Sequence, residues 1–489
     1  MNRPLSSSET YRPGRLFLGS CTAITALAFS FAALSGVMFQ LKSEFLLDNA
    51  QVGLIGGAGL WGMAISQVSF SSLCDVVGMR NLLRAALAGH VIGVALFVFA
   101  TGFQTLFAAA LVMAIANGVI EAVCNPLTAT LYPDRKAGML NRMHLWFPGG
   151  IVLGGLAIWG LDLIHADWRA KMLIVLIPAL AYGLIFLREQ FPPTEAEAAG
   201  HRVGDAFKAV ATTPLLWLFL ALMAVTMSLE LGPNRWIPAV LQAGGMSGIL
   251  VLVLINGVMA AMRANAHAIL ARVSPPVVLM SSTGVVGLGL LWLSYATDPV
   301  QTVAAALVFA VGIAIVWPTM MGFVAERAPR TGALGLGLMA AAGSLAVGVV
   351  TTPLLGQIAD THLTETLSPP AIAQLAHETL VQPVVLPAPL RIAAQVVAAS
   401  PSGLPTPQTG DFLRRTAAGE AGPALAAKVQ PLLDGAENRS GLLSFRYLVP
   451  FAALVCLIFA GVVLLDRRAG GYRARVAKAR LAAPGALNE

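Results

Sequence analysis

Long apolar runs separated by short polar segments repeat along most of the chain. An α-helix needs about 20 apolar residues to cross the hydrocarbon core of a bilayer, and twelve runs are of this kind. They lie near 16–41, 51–73, 82–101, 105–131, 140–164, 170–188, 214–241, 246–270, 275–297, 300–324, 331–359 and 444–465. The runs are continuous, whereas the strands of a membrane barrel alternate apolar and polar residues over about ten positions. The pattern therefore predicts an all-α membrane protein with twelve transmembrane helices.

The composition agrees with a bilayer environment. Hydrophobic residues make up 57% of the 489 residues and charged residues only 11%, whereas a soluble domain carries about 25% charged residues. The four cysteines show no metal-ligand or CxxC spacing, and we interpret them as small packing residues. The sequence contains neither a GxxxxGK[ST] nucleotide-binding loop nor an HExxH metal motif. We therefore expect a protein without cofactor or metal that is not an enzyme.

The distribution of charge predicts the orientation in the membrane. The net charge is +7, but the basic residues lie in short clusters between apolar runs, with no basic face for a nucleic acid. Of the 31 Lys and Arg residues, 21 fall on the side of the two termini and 10 on the other. Because cytoplasmic loops carry the excess of Lys and Arg, we expect a cell (inner) membrane protein with both termini in the cytoplasm. The first run is too long for a cleaved signal peptide and is expected to remain as a span.

An internal repeat divides the chain into two halves. The segment NPLTATLYPDRKAG at Pro126 has a counterpart, WPTMMGFVAERAPRTG, at Pro318, and each lies at the end of the fourth span of its half. Parallel repeats of six spans, with a solute site between the halves, are typical of a large class of transporters. The predicted parts are an N-terminal six-helix bundle, a cytoplasmic loop, a C-terminal six-helix bundle and a basic cytoplasmic tail, at 1–190, 191–213, 214–465 and 466–489.

The segment 361–443, between the last two spans, is too polar and too rich in proline to cross a membrane. The orientation above places it outside the cytoplasm. The stretches 371–381 and 388–399 are predicted as short helices, and the remainder reads as irregular chain. A flexible insert is favoured over a folded domain.

A stripe of polar residues in the fourth span is the first candidate for chemistry. Asn117, Glu121 and Asn125 follow each other at intervals of four and share one helix face. Such a stripe cannot face lipid, so it lines a cavity or packs against a neighbouring helix. Desolvation favours the neutral form of a carboxyl group, so a buried Glu121 that changes its hydration between two states can couple proton movement to transport.

The fifth span begins with a second polar group. Asn141 and His144 lie three residues apart on one face, and His144 either takes part in solute binding and proton transfer or only satisfies its neighbours. Trp146 offers a flat amphipathic ring that suits a sugar face and is equally common at membrane interfaces.

The second half contributes further candidates. In the seventh span Thr226, Glu230 and Asn234 share a face, and Glu230 either lines the cavity or pairs with Arg235. In the eighth span, one helix face carries Asn256, Arg263 and His267. Arg263 and His267 are expected near the cytoplasmic end, where they form either a gate or a contact with lipid headgroups. Trp317 in the tenth span, together with Glu230, Asn234 and Asn256, completes the predicted solute site.

The loop after the second span resembles a signature of the major facilitator superfamily. Ser71-Ser-Leu-Cys-Asp75-Val-Val-Gly78-Met-Arg80 is similar to the family loop G-x-x-x-D-x-x-G-R-[RK], with serine in place of the first glycine. We assign a gating role on the cytoplasmic side to Asp75, Gly78, Arg80, Arg135 and Arg327.

The fourth and fifth spans resemble the L-fucose:proton symporter family of sugar transporters. The segment Gly118-Val-Ile-Glu121-Ala-Val-Cys-Asn125-Pro126, followed by Leu140-Asn141, is similar to that family's G-x-x-E-x-x-x-N-P core and its following L-N. In the second half, the residues similar to that family's tenth and eleventh spans are Pro318, Thr319, Gly343, Pro353, Gly356 and Asp360.

The resemblance implies that Glu121 stands where the family has a glutamate implicated in proton coupling and sugar binding. Two positions depart from the family: Ser35 aligns with an acidic residue of the first span, and His144 aligns with a glutamine. His144 therefore either substitutes as a titrating group, or the protein is a uniporter.

These observations predict a monomeric secondary transporter that works by alternating access. Its expected partners are a monosaccharide or similar small polar solute, a proton coupled through Glu121 and His144, and the lipid bilayer. Two other functions fit the same pattern: an efflux antiporter for amphipathic compounds, and a nutrient sensor that does not transport.

Overall fold

The apolar runs of the N-terminal half form helices. The structure is a computed structural model that describes residues 11–45, 49–71, 73–193, 203–243 and 248–481. The described helices of this half are α1 (Pro13–Glu44), α2 (Asn49–Ser71), α3 (Cys74–Val77), α4 (Met79–Val98), α5 (Phe103–Leu131), α6 (Lys136–His144), α7 (Trp146–Leu163), α8 (Trp168–Leu173) and α9 (Leu176–Phe186).

The C-terminal half begins with a short helix before its first span. The described helices are α10 (Val203–Thr212), α11 (Pro214–Ala243), α12 (Gly248–Arg272), α13 (Pro275–Tyr295), α14 (Pro299–Ile313), α15 (Val316–Arg327), α16 (Gly332–Leu345), α17 (Thr352–His362), α18 (Pro369–Leu380), α19 (Ala388–Ala398), α20 (Thr406–Ala417), α21 (Pro423–Ser444), α22 (Val449–Arg468) and α23 (Tyr472–Leu481).

The helices account for the twelve predicted crossings. Among the described residues, eleven helical segments are long and apolar enough to cross a membrane. The remaining predicted span coincides with α2, whose described apolar part, Leu54–Phe70, is shorter. The whole of α2 has 23 residues, about 34 Å at 1.5 Å per residue, which matches a hydrocarbon core of about 30 Å. The predicted all-α membrane fold is confirmed.

Three spans near the centre of the protein are irregular. In the fifth span α6 ends at His144 before α7 begins, and in the tenth span α14 ends at Ile313 before α15 begins. In the eleventh span a π-helical segment, Ala346–Thr351, joins α16 to α17. The last carbonyl groups of a helix have no partner within that helix. The breaks therefore expose polar backbone atoms inside the bilayer region.

The start of the first span lies beside the end of the sixth, and the end of the tenth span lies beside the end of the twelfth. Arg12 and Arg15, at the start of the first span, pair with Glu189 just after the sixth span. Arg327, at the end of the tenth span, pairs with Asp466 at the end of the twelfth. We name this side of the protein the terminal side.

The two halves are in contact on the terminal side. Helix α6 packs against α15, and a Cβ added to Gly322 of α15 would lie 2.3 Å from the Cα of Ala137 in α6. Nearby, the Asn141 side chain donates to the Thr319 hydroxyl over 2.9 Å. The absence of a side chain at Gly322 therefore permits the closed arrangement of this side.

Gly322→Ala is expected to weaken the contact between the halves. The new methyl group would meet backbone atoms, and overpacking of this kind costs about 1–3 kcal/mol, so the closed population should fall roughly tenfold or more. Amide hydrogen exchange of residues 136–144 and 316–327 in the purified protein should become faster. Gly284→Ala is the matched control, because a Cβ there meets only the Cys456 sulfur at an ordinary 3.6 Å. Equal exchange in both variants would contradict the expectation.

The insert between the last two spans is folded, so the favoured prediction of a flexible segment is wrong. Helices α18 to α21 occupy it, and the first two coincide with the two short helices predicted from sequence. Leu390, Val397, Phe412 and Val429 belong to a core that is separate from that of the spans. Four apolar helix faces thus bury each other, which an irregular chain could not do.

The prolines that suggested irregular chain occur where helices begin. Pro369, Pro389, Pro407 and Pro423 occupy the first or second position of α18, α19, α20 and α21. A proline there loses nothing by lacking an N–H group, because the first N–H groups of a helix have no intrahelical partner. These residues therefore define the helices of the insert instead of preventing them.

The insert is fixed to the C-terminal half. Arg414 pairs with Asp360 of the eleventh span over 2.5 Å and with Glu437 of α21 over 3.0 Å. The Asn438 side chain donates to the carbonyl oxygen of Val240, in the seventh span, over 2.7 Å. The insert therefore joins the ends of the seventh, eleventh and twelfth spans on the side opposite the terminal side.

Candidate functional site

Glu121 lies in the closely packed part of the fourth span. Gly118 lets α5 approach α2, because a Cβ at this position would lie 1.9 Å from the Ser66 hydroxyl oxygen and 2.6 Å from the Met63 carbonyl oxygen. This approach brings the side-chain amide of Gln67 to Glu121 Oε2 at 2.5 Å. Glu121 is buried, with 8% of its surface exposed.

Gln67 connects this carboxyl group to the other half. The Ser344 hydroxyl of the eleventh span donates to Gln67 Oε1 over 3.4 Å. Glu121 is therefore one side chain away from the contact between the halves. Gln67 and Ser344 are not among the residues predicted from the sequence, although single polar residues in the middle of apolar runs are a usable signal.

His144 and Asn125 form a second polar pair at the break in the fifth span. His144 Nε2 lies 2.7 Å from Asn125 Oδ1, and because an amide oxygen only accepts, Nε2 donates. The His144 ring meets the buried Trp317 edge to face, with ring centroids 6.2 Å apart. Three predicted solute-site residues from the fourth, fifth and tenth spans are thus brought together.

Arg263 is the largest fully buried side chain among the described residues. Of the two roles predicted for it near the cytoplasmic end, a gate or a lipid contact, burial contradicts the lipid contact. Its guanidinium donates to Glu230 Oε1 over 3.0 Å, to the Ala314 carbonyl over 2.5 Å and to the His144 carbonyl over 2.8 Å. Arg263 therefore joins the seventh, eighth and tenth spans to the fifth span of the other half.

The two backbone partners of Arg263 follow from the helix breaks. His144 is the last residue of α6 and Ala314 follows the last residue of α14, so both carbonyls lie at helix C-termini. Such ends carry a partial negative charge that attracts a cation. The Glu230 carboxylate is the third partner of Arg263. The predicted alternative, a pair between Glu230 and Arg235, falls on a side chain outside the described residues.

The site contains more carboxyl groups than cations. Glu121 and Glu230 are both buried carboxyl groups. Arg263 neutralises Glu230, whereas no ion pair joins Glu121 to a cation in the described part of the chain. An ionised carboxylate without a cation is costly in a buried site, so the charge balance favours a proton on Glu121 when the site is closed.

Several acceptor atoms of the predicted solute-site residues are buried without a hydrogen-bond partner in the described structure. They are Glu230 Oε2, Asn141 Oδ1, Asn234 Oδ1 and Asn256 Oδ1. The amide nitrogens of the same asparagines are engaged, by the Ala137 carbonyl, the Met259 sulfur and the Leu252 carbonyl. Buried acceptors without donors are rare in folded proteins, so they mark a place where a molecule with donor groups can bind.

Asn117 belongs to a different network. Its amide nitrogen donates to the Ser30 hydroxyl over 2.8 Å, and its oxygen lies 2.9 Å from Nε2 of His90, whose other ring nitrogen lies 3.1 Å from the Tyr182 hydroxyl. This chain joins the first, third, fourth and sixth spans. Both ends of the amide are thus satisfied inside the N-terminal half, and His90 is a residue that the sequence analysis missed.

In the described structure, no hydrogen bond joins the remaining predicted residues to Arg263. Trp146 is 38% exposed. Arg80 donates to the Leu187 carbonyl over 2.6 Å, which joins the third span to the sixth, and Gly78 has a φ of 84° that favours glycine. The side chain of Asp75 lies outside the described residues.

Two of the predicted gating arginines contact aromatic rings. Arg135 lies over the Tyr132 ring, 5.8 Å from its centroid. Arg327 pairs with Asp466 and stacks on Tyr472 of the tail helix. Burial and the Glu326 carboxylate raise the pKa of Tyr472, so its phenol stays protonated and donates to Glu326.

Two sets of helices with an ionisable, broken-helix site between them are typical of membrane transporters. A sequence model described as Major Facilitator Superfamily matches residues 18–351, and the chain belongs to this family. The chain is therefore a multi-pass membrane protein of a family of transporters.

The curated relatives transport different solutes. The chain is 26% identical over 228 residues to a gentisate transporter of Corynebacterium glutamicum, covering 43% of this chain and 50% of the relative. It is 25% identical over 285 residues to a gallate transporter of Pseudomonas putida, covering 50% and 61%. A 2-nitroimidazole transporter of Escherichia coli is 23% identical over 71% of this chain and 88% of its own. The first two matches thus span only about half to three-fifths of those proteins.

Solved structures with the same fold include two sugar:proton symporters. The chain matches the proton:xylose symporter XylE with a TM-score of 0.62 at 14% identity, over 72% of this chain and 90% of that one. It matches FucP in its outward conformation with a TM-score of 0.61 at 14% identity, over 90% and 98%. At this identity the likeness concerns the fold. The superfamily membership expected from the sequence is confirmed, and FucP is among the proteins with a matching fold.

Proposed function

We propose that the protein moves an uncharged, polyhydroxylated solute, a monosaccharide or a similar small polyol, together with a proton. The observation that carries this proposal is the set of buried acceptors without donors on Glu230, Asn141, Asn234 and Asn256. The hydroxyl groups of a sugar supply the missing donors. Trp317 and His144 add an aromatic wall beside the site, and aromatic faces pack well against sugar rings.

Glu121 is the proposed proton carrier. The carboxyl group is neutral while the halves are closed around it and loses its proton when the site opens to water on the terminal side. Gln67 and Ser344 transmit this change, because the same amide bonds both Glu121 and the other half. His144 and Asn125 hold the solute from the N-terminal half, and Asn117 acts indirectly by fixing the fourth span.

Arg263 is the proposed link between solute binding and movement of the halves. It donates across the contact to the His144 carbonyl, and this bond breaks when the halves separate on the terminal side. Its ion pair with Glu230 then keeps the charge compensated within the C-terminal half. The arrangement thus alternates between two states without leaving a bare buried cation.

We also propose that the terminal side faces the cytoplasm, that the protein resides in the inner membrane, and that it acts as a monomer. The excess of Lys and Arg on the terminal side supports the orientation. A thiol reagent that does not cross membranes, applied to intact cells carrying Glu489→Cys, should leave that residue unlabelled.

An aromatic carboxylate is the second candidate solute. The transporters named for gentisate, gallate and cis,cis-muconate among the relatives favour it, as does a buried arginine at the site, because guanidinium groups bind carboxylates in two-point contacts. Against it stands the ion pair of Arg263 with Glu230, which already neutralises the guanidinium charge. Three of the five N–H groups of Arg263 donate to Glu230 and two carbonyls. A carboxylate solute would therefore compete with Glu230 for the guanidinium.

The solute classes are distinguished by one uptake experiment. Purified protein in liposomes is given radiolabelled monosaccharides, polyols, gallate and gentisate under an imposed pH gradient, with and without a protonophore. We expect a monosaccharide or polyol to accumulate and the protonophore to abolish its accumulation. Accumulation of the aromatic acids alone would show that the solute is a carboxylate. Accumulation of a solute despite the protonophore would show that transport is not coupled to a proton.

A further inference from the structure

A cavity lies on the terminal side, and neither Arg263 nor its hydrogen-bond partners line it. Its volume is about 1000 Å³, and it is formed where the loop before α6 meets the loop between α12 and α13, the ends of the tenth and twelfth spans, and the tail helix α23. Residues of both halves therefore line it. Arg135 and Gly138 come from the N-terminal half, and Arg272, Glu326 and Tyr472 from the C-terminal half.

The lining carries basic side chains that have no partner within the described residues. Arg272, Arg467 and Arg473 line the cavity, and no hydrogen bond or ion pair holds their guanidinium groups within the described residues. The three acidic groups of the lining are all engaged: Asp134 has an interaction of its own, Asp466 is paired with Arg327, and Glu326 accepts from Tyr472. The cavity therefore has an excess of available positive charge.

The backbone adds to this positive field. The first turns of α6, α13 and α23 all contribute to the lining, through Ala137, Val277 and Arg473 among others. The N-termini of α6 and α23 present N–H groups and a partial positive charge, and helix N-termini bind phosphate groups readily. Helix α13 begins with Pro275 and Pro276, which have no N–H group, and the Val277 N–H donates to the Ser274 carbonyl, so this end adds only its dipole. These ends favour an anion with several oxygen atoms.

One buried carboxylate oxygen indicates a further feature of the ligand. Asp466 lines the cavity and is only 4% exposed, yet its Oδ1 has no hydrogen-bond partner and lies 3.8 Å from Arg475 Nε. This acceptor calls for a hydroxyl or amino group. Chloride and sulfate do not supply one.

We propose that this cavity binds a phosphate ester that also carries a hydroxyl or amino group, either the headgroup of a phospholipid or a soluble phosphorylated metabolite. Arg272, Arg467 and Arg473 bind the phosphate, and Asp466 accepts from the second group. Because both halves line the cavity, the bound ligand stabilises the closed terminal side and slows transport. This site does not depend on which solute the transporter carries.

The test measures binding to the full-length purified protein. ATP, a soluble phosphate ester with hydroxyl groups, is titrated at constant ionic strength while thermal unfolding is followed. In a second arm, the protein is placed in nanodiscs of phosphatidylcholine with or without phosphatidylglycerol. Stabilisation by ATP indicates a soluble ligand, and stabilisation by phosphatidylglycerol alone indicates a lipid. No stabilisation in either arm overturns the proposal.

A variant assigns the binding to this cavity. Arg272→Ala/Arg473→Ala removes two of the proposed phosphate ligands without touching the transport site, and should weaken binding at least about tenfold, since charge-assisted hydrogen bonds are strong. Arg391→Ala, an exposed arginine of the insert, should leave binding unchanged. Equal binding by wild type and the double variant would show that the ligand is held elsewhere.

Discussion

Glu121→Gln is expected to abolish proton-driven accumulation of the solute while leaving downhill movement intact. Glutamine has nearly the shape of the protonated carboxyl group and still offers an oxygen to Gln67, whose amide nitrogen lies 2.5 Å from the glutamate oxygen. It cannot lose or gain a proton in the relevant range. The variant should therefore fold, bind and exchange solute, but no longer respond to a pH gradient.

The size of the effect follows from the driving force. One pH unit corresponds to about 1.36 kcal/mol, or about tenfold, so a one-to-one symporter in liposomes with a one-unit gradient accumulates its solute about tenfold. Glu121→Gln should reach a ratio of about one, with solute counterflow retained. Glu378→Gln in the insert, where the carboxylate pairs with Lys428 at the surface, is the matched control. Unchanged accumulation in Glu121→Gln would remove this carboxyl group from the coupling.

Arg263→Ala is expected to destabilise the protein strongly and to abolish transport. The substitution leaves the Glu230 carboxylate buried without its cation and deprives the His144 and Ala314 carbonyls of their donor. Removal of one member of a buried ion pair costs about 3–5 kcal/mol. Thermal unfolding in detergent should therefore begin at a clearly lower temperature than for the wild type.

The double variant Arg263→Ala/Glu230→Ala separates the charge effect from the loss of packing. Because it removes the stranded carboxylate, it should regain much of the lost stability while transport stays absent. Arg391→Ala is the control for loss of an arginine as such. If Arg263→Ala were as stable as the wild type, or if the second substitution gave no recovery, the ion pair would not be a structural link in this protein.

Much of the candidate site was accessible from sequence because it lies along single helices. Asn125 and Glu121 share a helix face by spacing alone, and the distance from Asn141 to His144 is also local. Partners that come from other spans were not accessible in this way. Gln67 bonds Glu121 across 54 positions, and Arg263 bonds the His144 carbonyl across 119 positions.

The insert illustrates why some predictions failed. Its prolines and polar residues suggested flexible chain, but a proline at the first turn of a helix and a proline in a loop look alike in a sequence. They are distinguished by whether the apolar faces of the helices pack against each other, as the faces that carry Leu390 and Phe412 do here. That outcome depends on the packing of four segments at once.

The sequence by itself determined the membrane class, the number of crossings, the repeat and the carboxyl group at the centre of the fourth span. These properties follow from the length of apolar runs and from spacing along one helix, because the bilayer fixes both the length and the hydrogen bonding of a span. The tertiary structure decided which polar groups meet: Glu121 with Gln67, and Arg263 with Glu230 and two broken helices. Such pairings depend on how close helices approach at residues such as Gly118 and Gly322, and only packing in three dimensions sets that distance.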